Sequence, residues 1–454
     1  MRKVRIGCGQ GYWGDRLDAP IVMVARGEVQ YIAFDYLAEL TLSIMQRQKQ
    51  ADPARGYATD FVSLCQRILP ACRAKGIRLL SSAGGVNPRA CLQRVLEVAT
   101  GLGLNGLRVA AVLGDDILDR LEGLRAQGVS LANMETGQPF DAIRGRVTCA
   151  NVYLGAPPLV EGLRQGADVI VTGRNTDTSL FMAPMIHELG WPPDDWDRLA
   201  AGIVVGHIME CGGQACGGNF GGDDWRRFPA LDRVGFPICE VFEDGRAIIT
   251  KPKGTGGRVS SATVKEELLY ELGDPRNYIE PDGVADFTTV RVEDVGRDRV
   301  RVWGARGRPA PELLKVSMAY QDGFMAAGQI CYSWPDAVAK AKAAEQILRR
   351  RFKAVGLKAR ELRFDLVGLN AIHGPVGGRV PEPDEVMLRV AVRADTKAEA
   401  EKIGPEIPCL VTLGPPTGTG YGGRARAHEV LAYWPTLIPR EAVKPEVVVE
   451  EVRC

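Results

Sequence analysis

The chain has 454 residues, of which 45% are hydrophobic and 25% charged, and its formal net charge is +1. This exceeds what one small core needs and fits a soluble globular protein of two or three domains. The balanced charge gives no electrostatic case for nucleic acid or an anionic membrane as partner, and no apolar run approaches the ~18 residues of a membrane span.

Residues 4–9 read as a short apolar strand ending in glycine, with no apolar leader pattern before it. Residues 19–24 and 35–46 read as helices, the second with an apolar stripe at Leu37, Leu40, Ile44 and Met45. A longer helix is expected over 57–75, a strand over 78–82, and a helix over 88–102 that Pro88 is placed to start. Strand 107–112, helix 115–125, helix 153–165 and strand 168–172 follow. This alternation predicts a mostly parallel sheet with helices on both faces, and ligands in such sheets bind at the carboxyl ends of the strands. The loops 9–16, 83–89 and 173–177 fall there.

After about residue 229 the pattern turns antiparallel, with a hairpin at 238–242 and 246–250, a helix at 263–272 and strands at 284–293 and 299–303. The tail reads as strands 314–320 and 325–333, helix 336–353, strands 363–369 and 386–393, helix 396–403 and strand 408–413. From residue 325 the order β-α-β-β-α-β is that of a ferredoxin-like α+β domain. A Gly/Pro-rich stretch at 368–383 divides its central strands, and a glycine-rich loop, 414–423, follows the last. The expected domains are therefore an α/β core at 1–228, its antiparallel extension at 229–324, and the ferredoxin-like domain at 325–454.

Eleven cysteines lie at irregular spacing, several inside helix patterns, which fits a reduced cytoplasmic protein better than a disulfide scaffold.

The segment with the most chemistry is 207–222. His207, Glu210 and Cys211 are spaced i, i+3 and i+4 and share one helical face; Cys216 and six glycines follow. Zinc needs four N/S ligands in familiar spacing, and this set lacks a second pair. An acid/base pair of His207 and Glu210 is the stronger functional reading, set against a buried helix end with a hydrogen-bonded histidine. The loop 7–16, with Gly11 and the Asp15-Arg16 ending, reads as a ligand loop or a tight turn. It lacks the helix placement and strand-end acid of a dinucleotide fingerprint. Asp35 and Glu39 are one turn apart and read as a carboxylate pair for acid/base work or for a metal, or as the helix capping that the sequence favours. Arg174, after a buried strand, suits a carboxylate or phosphate, with Asp177 capping the next helix or orienting it. Lys251 and Lys253 in a glycine-rich loop suit phosphates of a nucleotide or coenzyme A, or form an exposed hairpin. No G-x-S-x-G elbow is present, which disfavours a serine hydrolase.

Together these stretches resemble the acyclic terpene utilisation (AtuA-like) family, long listed as a family of unknown function. The resemblance is carried by residues 9–16, 35–41, 83–88, 151–155, Gly173-Arg174 with Asp177, 207–220, 251–257, 268–271 and 274–286. One departure is Asn175-Thr176, where many relatives have smaller apolar residues. The resemblance implies a place in catabolism of terpenoids and branched acids as coenzyme A thioesters, beside carboxylases and hydratases. It also implies a ferredoxin-like tail.

The expectation that results is a hydratase or lyase acting on a carboxylate or thioester. His207 and Glu210 transfer protons, with Asp35 and Glu39 as alternates. Asn87, Arg174, Asp177, Asn219, Gly11, Asp15 and Arg16 bind substrate, and Lys251 and Lys253 face phosphates. No metal or cofactor is expected, a coenzyme A thioester being the substrate. The expected partner is a small molecule, with no nucleic acid or membrane, and the protein is expected to form a homo-oligomer. The competing expectations are a non-catalytic scaffold subunit for a carboxylase or hydratase, and a metal-dependent hydrolase.

Overall fold

The computed structural model describes residues 1–222, 224–376 and 382–453. The chain forms two compact units, Met1–Ala319 with Tyr433–Cys454, and Tyr320–Ala432.

The first unit opens with β1 (Lys3–Gln10), α1 (Asp18–Arg26), β2 (Tyr31–Phe34), α2 (Glu39–Ala51), α3 (Thr59–Lys75), β3 (Arg78–Ser81) and α4 (Pro88–Gly101). Then come β4 (Arg108–Leu113), α5 (Leu121–Ala126), β5 (Val147–Val152), α6 (Pro157–Arg164), β6 (Val169–Thr172), α7 (Ser179–Leu189) and α8 (Trp196–Glu210). It continues through β7 (Ile238–Phe242), β8 (Ala247–Thr250), α9 (Ser261–Leu269), β9 (Tyr278–Glu280), β10 (Gly283–Asp286), β11 (Arg291–Gly296), β12 (Arg299–Trp303) and β13 (Arg306–Arg308). β14 (Leu313–Ser333) leads into the second unit, which holds α10 (Ala337–Ala354), β15 (Glu361–Val367), β16 (Glu385–Ala394), α11 (Lys397–Glu401), α12 (Ile403–Glu406) and α13 (Leu410–Leu413). β17 (His428–Pro439) returns to the first unit, and β18 (Glu446–Glu451) ends there.

Ten strands form the main sheet, in the order β11-β12-β8-β7-β1-β2-β3-β6-β4-β18. The central five, β1-β2-β3-β6-β4, are parallel. Strands buried on both faces read as unbroken apolar runs rather than alternation, and β2 (YIAF) and β6 (VIVT) are buried at every position. The strands expected as an antiparallel extension continue this same sheet, β7 pairing with β1 and β12 with β8. The last residues, expected with the C-terminal domain, add β18 to the opposite edge, antiparallel to β4. A separate three-stranded sheet, β13-β10-β9, packs through β10 and β13 on α8. That contact decides what surrounds the end of α8.

Several local expectations are corrected. The helix expected from residue 35 starts at Glu39, because residues 35–37 extend the strand end. There the Asp35 amide donates to the Gln10 carbonyl and the Tyr36 amide to the Ser82 hydroxyl. The helix expected at 115–125 is reduced to α5, and Tyr153 precedes its helix, which Pro157 opens. Segment 284–293 breaks into β10 and β11 around a short turn, whereas 314–320 and 325–333 are one strand. Residues 408–413 form a helical turn and not a strand. A short apolar run after proline fits either state, and here the Val411 amide closes back on the Pro408 carbonyl.

In the second unit the sheet order is β15-β16-β14-β17, with β16 antiparallel to both its neighbours. Ala341, Ala344, Leu348 and Phe352 of α10 recur at helical spacing and pack on Ile330, Leu388 and Val390. Part of the expected 368–383 loop lies outside the described residues.

Candidate active site

The carboxyl ends of β1, β2, β4 and β6 bring their loops together with the C-terminus of α8, all within the first unit. Each parallel strand delivers its chain to the same edge, so residues 11, 35, 115 and 174 meet although they are far apart in sequence.

Arg174 is the hub. Only 2% of it is exposed. Its backbone amide donates to Asp115 Oδ2 at 2.7 Å, and Asn151 Nδ2 donates to the same oxygen at 2.9 Å. Its Nη1 donates to the Leu37 carbonyl (2.7 Å) and to Asp177 Oδ1 (3.0 Å). Its guanidinium carbon stands 4.2 Å from the centre of the Tyr153 ring, a cation–π contact.

Around this guanidinium three acids converge. Oxygens of Asp35, Asp177 and Glu210 all lie within 4.8 Å of one another. Asp35 is buried, and its Oδ1 accepts from the Ser82 hydroxyl (2.9 Å) and the Leu37 amide (3.2 Å). Glu210 is the last residue of α8, and its Oε1 stands 3.2 Å from His207 Nδ1. The Tyr278 hydroxyl is 3.3 Å from the same nitrogen, and Tyr278 and Phe287 meet the imidazole edge-on.

Burial first, then the neighbouring charge of Asp177, pushes the Asp35 and Glu210 carboxyls well above the usual range, with Arg174 opposing. Burial pushes His207 the other way, toward the neutral imidazole. Burial thus works against charge on both His207 and Glu210 as they stand, with no compensating cation beside Glu210 but Arg174 among the described residues. Glu267 rises to about 7 through burial, and burial also raises Glu280.

A cleft of about 750 Å³ opens beside this cluster, lined among others by Glu39, Tyr153, Arg174, Asp177, Tyr278 and Lys315. The Tyr153 hydroxyl donates to Glu39 Oε1 at 2.6 Å. Burial would lift the Glu39 carboxyl, but Tyr153 and Arg174 outweigh it and hold it below its ordinary value. Lys315 Nζ caps the Tyr153 ring from 5.0 Å.

The site residues read from sequence divide into three groups. Asp35, Glu39, Arg174, Asp177 and Glu210 come together, with His207 1% exposed behind Glu210 and off the cleft wall. Gly11 and Asp15 support the site from below. The Gly11 amide donates to Asp15 Oδ2, and Gly11 lies against the Glu210–Gly212 backbone. The others are engaged elsewhere. Arg16 pairs with Asp18, Asn87 donates to the carbonyls of Pro53 and Arg55, and Asn219 donates to Gln214. Lys251 bonds Thr255 and faces Asp298, and with Lys253, Arg26 and Arg297 it lines a second pocket of about 600 Å³.

Cys211 and Cys216 do not join the acids, and burial holds both thiols protonated. Sequence reasoning missed Tyr153, Lys315, Tyr278, Asp115, Glu267 and Glu280. Tyr153 lies inside the 151–155 stretch that carried the resemblance, which was its one available signal. Tyr278 and Glu280 lie likewise inside the 274–286 stretch, whereas Lys315 had no such signal.

Among curated proteins and solved structures, none matches the chain. A family model described as acyclic terpene utilisation family protein AtuA matches residues 4–449, nearly the full chain, and the chain belongs to that family.

Proposed function

We propose that the protein is an enzyme of branched-acid or terpenoid catabolism that eliminates or adds water, or performs a related lyase step, on a coenzyme A thioester. The family name supports the pathway. The observation that carries the reaction type is the Glu39–Tyr153 pair at the cleft, flanked by the cations of Arg174 and Lys315.

Glu39 is held as a carboxylate and is half-exposed to the cleft, which suits a general base. In the proposed elimination it takes the proton from the carbon next to the thioester carbonyl. Negative charge grows on the carbonyl oxygen, and the Arg174 guanidinium with the Tyr153 hydroxyl stabilises it. The carbon–oxygen bond at the next carbon breaks, and Glu39 returns its proton to the departing hydroxyl, releasing water. Hydration is the reverse. His207 orients Glu210 in this reading and does not touch substrate. The basic pocket with Lys253, Arg26 and Arg297 takes phosphates of the coenzyme. We also read the second unit as ferredoxin-like, on its element order and strand order.

The test is turnover of branched 2-enoyl-CoA and 3-hydroxyacyl-CoA substrates by wild type and Glu39→Gln. Loss of about 10²-fold or more in kcat with little change in KM is expected of a lost general base. Wild-type protein that neither turns over nor is thermally stabilised by any acyl-CoA would instead favour the scaffold reading.

A further inference from the structure

Three acids meet at one point, and a single guanidinium reaches one of them. Asp177 is bonded to Arg174, while among the described residues Asp35 accepts from neutral donors, a hydroxyl and an amide. Glu210 is 6% exposed, and its Oε2 is buried without a hydrogen-bond partner among the described residues. An unmatched buried carboxylate oxygen is costly, and it is rarely left so without an ion or water to accept. Glu267, Glu271 and Asp177 add negative charge around Glu210. A thioester enolate or a carboxylate would be repelled from such a cluster unless something positive were held there.

The spacing suits one cation. A hard divalent ion binds oxygen at about 2.0–2.6 Å, so ligands on opposite sides of it stand about 4–5 Å apart. The three oxygens lie within 4.8 Å of one another. The set is all oxygen, which selects magnesium, manganese or calcium over zinc or copper. The support around it is also that of a metal site. His207 and Tyr278 fix Glu210, and Ser82 with the Leu37 amide fixes Asp35. Arg174 holds Asp177 at the cleft wall, so the ion would be reached from the cleft side.

We infer that Asp35, Asp177 and Glu210 form a binding site for one hard divalent cation beside the cleft. This goes beyond the proposed reaction and does not need it, since the cation is bound by the protein alone.

The experiment uses full-length protein stripped with chelator and titrated with MnCl2, free Mn²⁺ being followed by its electron paramagnetic resonance signal. MgCl2 and CaCl2 serve as competitors. One Mn²⁺ per chain is expected, with a raised Tm. Asp35→Asn and Glu210→Gln should weaken binding at least about 10-fold. The exposed Asp141→Asn should bind as wild type. Circular dichroism checks folding, and Glu210→Asp, which keeps the charge but shortens the reach, serves as a second variant if either fails to fold.

The inference is overturned if wild type takes up no Mn²⁺ at about 1 mM, near the weak limit for such sites. It is equally overturned if zinc alone binds, or if the acid variants bind manganese as wild type does. Cation binding with no acyl-CoA turnover would leave the inference standing and remove the reaction. Turnover in stripped protein that binds no cation would do the reverse.

Discussion

Gly11 and Glu210 touch. A methyl group on Gly11 would stand 2.9 Å from the Glu210 carbonyl oxygen and 2.8 Å from the Gly212 nitrogen, both backbone atoms. The loop after β1 thus presses on the turn that ends α8 and fixes where the Glu210 side chain starts. Gly11→Ala must move one of the two segments. Overpacking of this kind costs about 1–3 kcal/mol. A lower midpoint in chemical denaturation together with weakened Mn²⁺ uptake is expected. Unchanged values for both would show that the turn is not held from this side.

Much of the fold was legible because its strands are short apolar runs closed by glycines, and the periods before and after them are helical. Readable in this way were β1, β3, β4, β6 and the helices α3, α4 and α10. β2 was not, since Tyr31–Phe34 is an apolar run of four residues directly ahead of the helix pattern read from residue 35. β5 was missed for a similar reason, its apolar face running into Tyr153. The site was half legible. Asp35, Glu39, Arg174, Asp177 and Glu210 were singled out one by one, from strand ends and helix turns. That Asp35 and Arg174 meet the His207–Glu210 turn follows from their places at strand ends, but the contact of three acids does not, because it depends on which strands are neighbours, and the order β1-β2-β3-β6-β4 is not written in local pattern. Asn87 shows the converse. It has the right chemistry in a glycine-rich loop, and it uses its side-chain amide to tie a neighbouring loop through the carbonyls of Pro53 and Arg55.

Arg174→Lys tests the hub. Arginine here makes two hydrogen bonds from one nitrogen and stacks on Tyr153, which an ammonium on a flexible stem cannot reproduce. The charge is kept, so the loss is one of geometry. Arg174 is buried but Asp177 is 35% exposed at the cleft, so solvent screens the pair, and the lysine variant should lose about 1–3 kcal/mol in urea unfolding, chiefly from the hydrogen bonds of a buried cation left unmade. Its acyl-CoA turnover should fall further than its stability, since Asp177 and the Leu37 carbonyl lose their anchor together. A variant of wild-type stability and activity would show that charge alone matters.

The C-terminal strand closes an edge. β18 pairs with β4 across six residues, and without it β4, a buried apolar strand, would present open backbone groups. A chain ending at Val443 should unfold about 5 °C lower or more in thermal melts. It should also scatter light at concentrations where the full chain does not. Identical melts and no scattering would mean that the edge is covered by other means.

Asp115 makes the stability of the first unit depend on pH. It is buried, accepts from the Arg174 amide and Asn151, and burial raises its carboxyl from 3.8 to about 6. The folded protein therefore holds this proton more tightly than the unfolded chain does. The contribution is most favourable below pH about 4, declines as pH rises to about 6, and is flat above that. Two pKa units correspond to about 3 kcal/mol. Asp115→Asn mimics the protonated acid and can still accept from the Arg174 amide. Asn151 Oδ1 is buried and has no partner among the described residues, so a flipped Asn151 amide can take the new Nδ2 hydrogen. The variant should therefore lack this decline, and the stability difference between wild type and variant should move against wild type by a few kcal/mol between pH 4 and pH 7. Urea unfolding across that range measures it, and parallel curves for the two proteins would mean that Asp115 carries no such proton.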